Sequence, residues 1–145
     1  MKNIIITAAL AASLPAASQA TLGIGTGTSS KLRPTMELQI GAEMGAIRIQ
    51  AGFNAHLSSR VTDPAVFFAR AGYGLKLGEM FTLIPAGGCG YELHSFDRPE
   101  LNRTGLMASA ELEKQMRAEG GRWYISAAYI NKTALFTLGI KAILR

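Results

Sequence analysis

The sequence holds a single cysteine, Cys89, among its 145 residues. No intrachain disulfide can form, so a small domain of this kind must find its stability elsewhere. There are two histidines, His56 and His94. Two histidines alone make no metal centre, and neither a metal nor another cofactor is expected. Beyond residue 14, glycine or a charge interrupts every apolar run before it reaches the roughly 20 residues of a spanning helix. Lys and Arg outnumber Asp and Glu by 15 to 10, yet the charges are scattered. No basic block forms and no aromatic stripe interleaves it, so nucleic acid is not an expected partner.

The chain opens with "MKNIIITAALAASLPAASQA". Lys2 supplies a short positive region, residues 4–14 are apolar, and Ser18-Gln19-Ala20 is a small-x-small site. This is the pattern of a secretory signal peptide, too short in its apolar part to span a membrane. Cleavage after Ala20 is expected. Residues 21–145 then form one domain, large enough for one core.

Turn signals cut that domain into eight runs, 21–29, 35–44, 46–57, 65–77, 80–94, 104–118, 122–131 and 134–144. Most are near the ~9–11 residues of a tilted transmembrane strand. The fifth and sixth are longer and should protrude or carry irregularities. The sixth, around "ASAELEKQMRA", has a helix-like composition, but its polar and apolar residues alternate, which favours a strand. The connections alternate too. "SKLRP", "SSRVTDP" and "SFDRPELNR" are long, whereas "G", "GE" and "EGG" are tight; only the last, "KT", breaks the trend. Long loops at one end and short turns at the other characterise bacterial outer-membrane barrels. An even strand number leaves both termini on the short-turn, periplasmic side.

Alternation by itself does not say which face meets solvent. In "AIRIQAGFNAHL", Ile47, Ile49 and Phe53 share one face, and Arg48, Gln50, Asn54 and His56 share the other. Three further features decide for an apolar face outward. Nearly all strand glycines have the parity of the polar face, where, inside a narrow barrel, they make room for long side chains. Aromatics of the apolar face gather near strand ends: Phe67, Tyr91, Tyr129 and Phe136 toward the long loops, Phe81 and Trp123 toward the short turns. Two such girdles are expected where a barrel meets both membrane interfaces. Lys114, the one charge on the apolar face, lies near an end, where it can snorkel. The fold expected is all-β, an eight-stranded antiparallel up-and-down transmembrane β-barrel.

In these features the domain resembles the small eight-stranded outer-membrane barrels, such as outer-membrane protein X, the opacity proteins and the barrel half of outer-membrane protein A. Its end, "TLGIKAIL", is similar to their strand-assembly signal through Thr137, Gly139, Ala142 and Leu144. The chain finishes on Arg145, where that family usually has an aromatic residue. The resemblance implies a monomer in the bacterial outer membrane, with membrane lipid, lipopolysaccharide and the barrel-assembly machinery as partners. It also implies a structural or surface-interaction role in the envelope.

Two constellations could carry chemistry. Glu37, Glu43, Arg48, Arg70, Glu92, Glu111, Glu113, Arg117 and Lys141, with Lys76 and Arg122, have lumen parity. Their near balance of sign suggests ion pairs that plug the interior, with a narrow ion conduit as an alternative. His56 and His94 fall on the long-loop rim with Ser95 nearby. A histidine, serine and acid set can activate a nucleophile. Phe68, Met107, Ile130 and Leu135 could line an acyl pocket toward the same end. Pro85 in "PAGGCG" removes one ladder hydrogen bond from a barrel without an edge. In this the chain resembles lipid A acyltransferase barrels, whose prolines open a lateral route for lipid; it lacks their N-terminal amphipathic helix. A lipid A or phospholipid-modifying enzyme, or an acyl-chain binder, is therefore the alternative function. No catalytic residue is assigned beyond the candidates His56, His94 and Ser95.

Overall fold

The computed structural model describes residues 19–57, 64–94, 98–116 and 120–144. Among them, nine strand segments follow one another: β1 (Gln19–Ser29), β2 (Pro34–Met44), β3 (Ile47–His56), β4 (Ala65–Tyr73), β5 (Leu75–Leu77), β6 (Phe81–Leu93), β7 (Arg103–Gln115), β8 (Gly121–Ile130) and β9 (Thr133–Leu144). Each pairs antiparallel with its neighbour in sequence, except that β4 and β5 both pair with β6. β9 returns to β1, with Ile24 opposite Ile140, and closes the sheet. β4 and β5 are two parts of one stave, so the barrel has eight.

Local chemistry sets the strand ends. Gly45, Gly78 and Gly120 take positive φ at the three tight turns, where a side chain would be strained. Asn131 does the same in the two-residue turn between β8 and β9. Leu32, in the turn from β1 to β2, has φ 56° without the freedom of glycine. β6 and β7 are the longest strand segments, at 13 residues each. They hold one unbroken register from Phe81↔Lys114 to Glu92↔Arg103, so they extend and do not bulge. The run with helix-like composition is a strand through Gln115.

Residues 1–18, most of the expected leader, lie outside the described residues. The expected cleavage point after Ala20 falls inside β1 and would leave Thr21, opposite Gly41, as the first paired residue.

The barrel is inside out by the standard of a water-soluble protein. Glu37, Gln39, Arg70, Glu111, Glu113 and Lys141 are buried, whereas Leu22, Ile24, Phe67, Leu106, Trp123, Ile125 and Phe136 are exposed. Exposed apolar area of this extent does not persist in water. It suits a hydrocarbon solvent, in which every backbone group of a closed barrel is already paired.

Glycines do on the inside what their parity predicts. A Cβ at Gly25 or Gly139 would meet the Tyr124 ring, one at Gly52 would lie 2.9 Å from Phe68 Cζ, and one at Gly90 would collide with Ile130. Tyr124, Phe68 and Ile130 thus each rest on a glycine of another stave.

Candidate functional site: the filled lumen

In the half of the lumen nearer the short turns, β2, β3, β4, β7, β8 and β9 bring charged side chains to one axis. Arg70, on β4, donates from Nε to Gln50 Oε1 at 2.6 Å and from Nη2 to Gln39 Oε1 at 3.2 Å and Glu111 Oε2 at 3.0 Å. Gln50 Nε2 returns a bond to Glu111 Oε1 at 3.2 Å. Lys141 bonds Glu111 and reaches Glu113 Oε1 at 2.8 Å. Arg122 joins Glu113 Oε2 at 3.0 Å to Glu43, and Arg48 Nε lies 3.3 Å from the same Glu43. Cation and carboxylate thus alternate from Arg70 through Glu111, Lys141, Glu113, Arg122 and Glu43 to Arg48.

Glu37 stands at the other edge of this network. Tyr124 Oη donates to its Oε1 at 3.1 Å and Thr137 Oγ1 to its Oε2 at 3.2 Å. Lys141 Nζ lies 4.9 Å from the Tyr124 ring centroid, and the Arg70 guanidinium lies 5.1 Å from that of Phe68. Counting Glu37, four carboxylates offset four cations in space nearly closed to solvent. That balance matters, because an uncompensated charge there would be strongly destabilising.

Eight of the lumen candidates therefore meet: Glu37, Glu43, Arg48, Arg70, Glu111, Glu113, Arg122 and Lys141. Glu92 is buried but stands apart, near the long loops, where Asn131 Nδ2 donates to it at 2.9 Å and His94 Nε2 lies 3.9 Å away. Arg117 lies outside the described residues. Lys76 has lumen parity but is exposed on the short β5, because the stave ends there. The bridging amides of Gln39 and Gln50 were readable only as polar-face residues. Parity put them inside, but nothing in sequence paired them with Arg70.

The rim candidates are only partly among the described residues, which include His56 and His94. His94 is part-exposed beside Glu92, and its backbone N–H donates to Asn102 Oδ1 at 2.8 Å. Ser95, and the other Ser and Asp residues at 58–59 and 97, lie outside the described residues. Among the described residues no group of three metal-ligating side chains gathers.

The expected acyl-pocket residues do come together, joined by Val66 and Ala128, in one buried cluster with Phe68, Met107, Ile130 and Leu135. They pack on one another and on Gly52 and Gly90. The result is an apolar plug on the β4 and β7–β9 side of the lumen.

Pro85 leaves a mark on the wall. The ladder to β7 runs through Pro85↔Ala110 without a break. On the other side Gly72↔Ala86 and Leu75↔Leu83 keep one register, but the intervening pairs, opposite Pro85 and Ile84, are missing. On the far side of β4 the ladder to β3 continues, with Gly74 N–H donating to Ala46 O at 2.7 Å. An open groove lined by Ala71, Gly72, Tyr73, Pro85, Ala86, Gly87 and Ser109 follows this seam.

On the outer face Phe67 lies opposite Tyr91, and its ring centroid is 6.1 Å from that of Phe53. Tyr129 and Phe136 are exposed toward the same end. At the other end Lys114 lies between Phe81 and Trp123 in register, with its Nζ 5.6 Å from the Phe81 ring centroid.

No protein-family model and no curated protein sequence matches the chain. Solved structures do. The N-terminal β-barrel domain of Pseudomonas aeruginosa OprF is similar at TM-score 0.64 and 10% identity, over 88% of this chain and 98% of that one. The outer membrane protein Ail of Yersinia pestis, in a phospholipid bilayer nanodisc, gives TM-score 0.60 at 15% identity, over 88% and 99%. Neisserial surface protein A gives 0.59 at 12%, over 88% and 96%. These are small outer-membrane barrels. At such identities the likeness establishes the fold, a transmembrane β-barrel of eight staves.

Proposed function

We propose that this barrel spans the outer membrane of a bacterium and serves a structural or surface-interaction role in the envelope. The observation that carries this reading is the filled lumen. One half is crossed by paired ions from Arg70 to Arg48, the other by the apolar plug around Phe68 and Ile130. Eight staves leave an interior that side chains can fill. A protein so filled works through its two rims and its outer wall. The packed state of Phe68, Met107, Ile130 and Leu135 favours this reading over an acyl-chain binder.

The long-loop rim suits an anionic partner. Lys31, Arg98, Arg103 and Lys132 are exposed there and Arg33 is half-buried; Glu100 is the exposed acid among the described residues of that end. Such a rim favours the phosphates of lipopolysaccharide. Phe67, Tyr91, Tyr129 and Phe136 then form the outer girdle, and Phe81 and Trp123 the inner one. β9 presents Thr137, Gly139, Ala142 and Leu144 to the barrel-assembly machinery. The leader directs export and is removed, and the barrel is a monomer of the general type of outer-membrane protein X.

Purified barrel in planar bilayers tests the reading: no step conductance is expected. Regular conductance steps would replace it with the conduit. Unchanged lipid A masses after deletion and overexpression are expected as well, and a mass shift that depends on His94 would make the protein an enzyme.

A further inference from the structure

The lumen half nearer the long loops contains polar atoms that the ion network does not reach. Asn54 is 1% exposed, and neither its Oδ1 nor its Nδ2 has a hydrogen-bond partner. Thr35, fully buried, has an unpartnered Oγ1, and Ser29, 1% exposed, an unpartnered Oγ. The three are contiguous. Asn54 is opposite Glu37, and Thr35 is two residues from Glu37 on the same face of β2. Thr35 is opposite Gly27, two residues from Ser29 on β1. A diagonal of amide and hydroxyl groups thus climbs from the Glu37 carboxylate toward the rim. Next to it lie Val66, opposite Asn54, and Leu135, opposite Ser29, both members of the apolar plug.

Buried amides and hydroxyls are partnered almost without exception in folded proteins, by protein or by ordered water. Of the neighbouring lumen side chains, Val66 and Leu135 have no hydrogen-bonding atoms, and His56, opposite Thr35, bonds neither Thr35 Oγ1 nor the Asn54 amide. Glu37 has spare acceptor lone pairs but takes only the bonds from Tyr124 and Thr137. We propose that this diagonal is an internal hydration site: a cluster of bound waters held by Ser29, Thr35 and Asn54 and anchored on Glu37. Water fits the chemistry. It donates to Asn54 Oδ1, accepts from Nδ2, exchanges either role with the two hydroxyls, and donates to the carboxylate. The groups are neutral apart from Glu37, and a cluster of small molecules, each making two to four bonds, satisfies them. The lumen is then divided. Its long-loop half encloses bound water along the β1–β3 wall, sealed from bulk because Ser29, Thr35 and Asn54 are each at most 1% exposed, and its short-turn half is closed by direct ion pairs.

Water-edited NMR of the full barrel in lipid nanodiscs tests this with two buried side-chain amides in one molecule. Asn54 Nδ2 lies in the proposed site; Gln50 Nε2 lies in the ion network, bonded to Glu111. Strong magnetisation transfer from water is expected at Asn54 and weak transfer at Gln50. A dry Asn54 overturns the hydration site. A wet Gln50 overturns the closed-lumen reading instead, so the two failures are told apart. The isosteric Thr35→Val variant gives a second readout. It is expected to lower the urea midpoint of unfolding, because bound water loses a partner. An unchanged or raised midpoint, the normal result of removing an unsatisfied buried hydroxyl, refutes the proposal.

Discussion

Glu111 is the residue on which the ion network turns, and replacing it by Gln is the sharpest test of how the barrel is held together. The side chain is 1% exposed and accepts bonds from Arg70, Lys141 and Gln50. Glu111→Gln keeps the shape and removes the charge. Lys141 keeps Glu113, but Arg70 loses its ion-pair partner and retains the neutral oxygens of Gln39 and Gln50. Removing one partner of a buried pair costs about 3–5 kcal/mol. With urea slopes of about 1–3 kcal/mol per molar, the unfolding midpoint falls by roughly 1–5 M. Arg70→Met should cost less, about 1–3 kcal/mol, because Glu111 keeps Lys141 and Gln50. Arg70→Met combined with Glu111→Gln removes the stranded cation together with its partner. The double variant should therefore be no less stable than Glu111→Gln, with a coupling of about 2–3 kcal/mol. The assay is urea unfolding in lipid vesicles, followed by the emission of Trp123, the one tryptophan, which faces outward. A Glu111→Gln variant within about 1 kcal/mol of the parent, or strictly additive costs, would refute the claim that these pairs are desolvated and coupled.

Gly27→Ala should abolish folding, because the new Cβ would collide with the Phe136 backbone; Gly87→Ala should be tolerated, its nearest neighbour being Met107 O at 4.0 Å. The heat-dependent shift in electrophoretic mobility of folded barrels reads both. Leu32→Gly should raise the urea midpoint by the equivalent of about 1 kcal/mol, since it relieves a positive φ in an exposed turn. Pro85→Ala should restore an N–H at the seam and gain about 0.5–1.5 kcal/mol, with slower amide exchange at Tyr73, which the register places opposite it; unchanged exchange would show that the proline is not what interrupts the ladder. Cys89 is exposed on the outer face. In vesicles it should resist a water-soluble maleimide and react once unfolded in urea, whereas rapid labelling of the folded protein would place that face in water.

Strand positions were readable from the chain because the signals that set them are local. Alternation fixes which residues share a face, and Gly45, Gly78, Gly120 and Pro34 lie at or beside the places where the chain turns. Lumen parity was equally readable, and it brought Glu37, Arg70, Glu111 and Lys141 into one list. What it did not contain was the pairing. Arg70 on β4 meets Glu111 on β7 and Gln39 on β2, staves that share no ladder with β4. Such contacts depend on curvature and stagger of the closed wall, which no window of sequence encodes. Parity grouped Glu92 with the other carboxylates, but its height along the axis sends it to Asn131 and His94. The same limit applied to Phe68 and Ile130. Their parity and end were legible, but how they pack depends on which glycine of another stave receives them: Gly52, directly opposite, for Phe68, and Gly90, two staves away, for Ile130.

That pairing of large residue with glycine also bears on what the barrel can do. Wall backbone and lumen side chains are complementary at each height: Tyr124 fills the space over Gly25 and Gly139, Phe68 that over Gly52, and Ile130 that over Gly90. Widening the lumen by shortening one of these side chains would not by itself open a path, because the ion network lies in series with the apolar plug. Removing the ions leaves the plug, and removing the plug leaves the ions. A conducting variant should therefore need both, for example Phe68→Ala with Ile130→Ala in the presence of Arg70→Ala and Glu111→Ala. Each pair alone should leave the bilayer current flat. Current through either pair alone would mean that only one of the two layers obstructs the lumen, and the structural role would then rest on that layer.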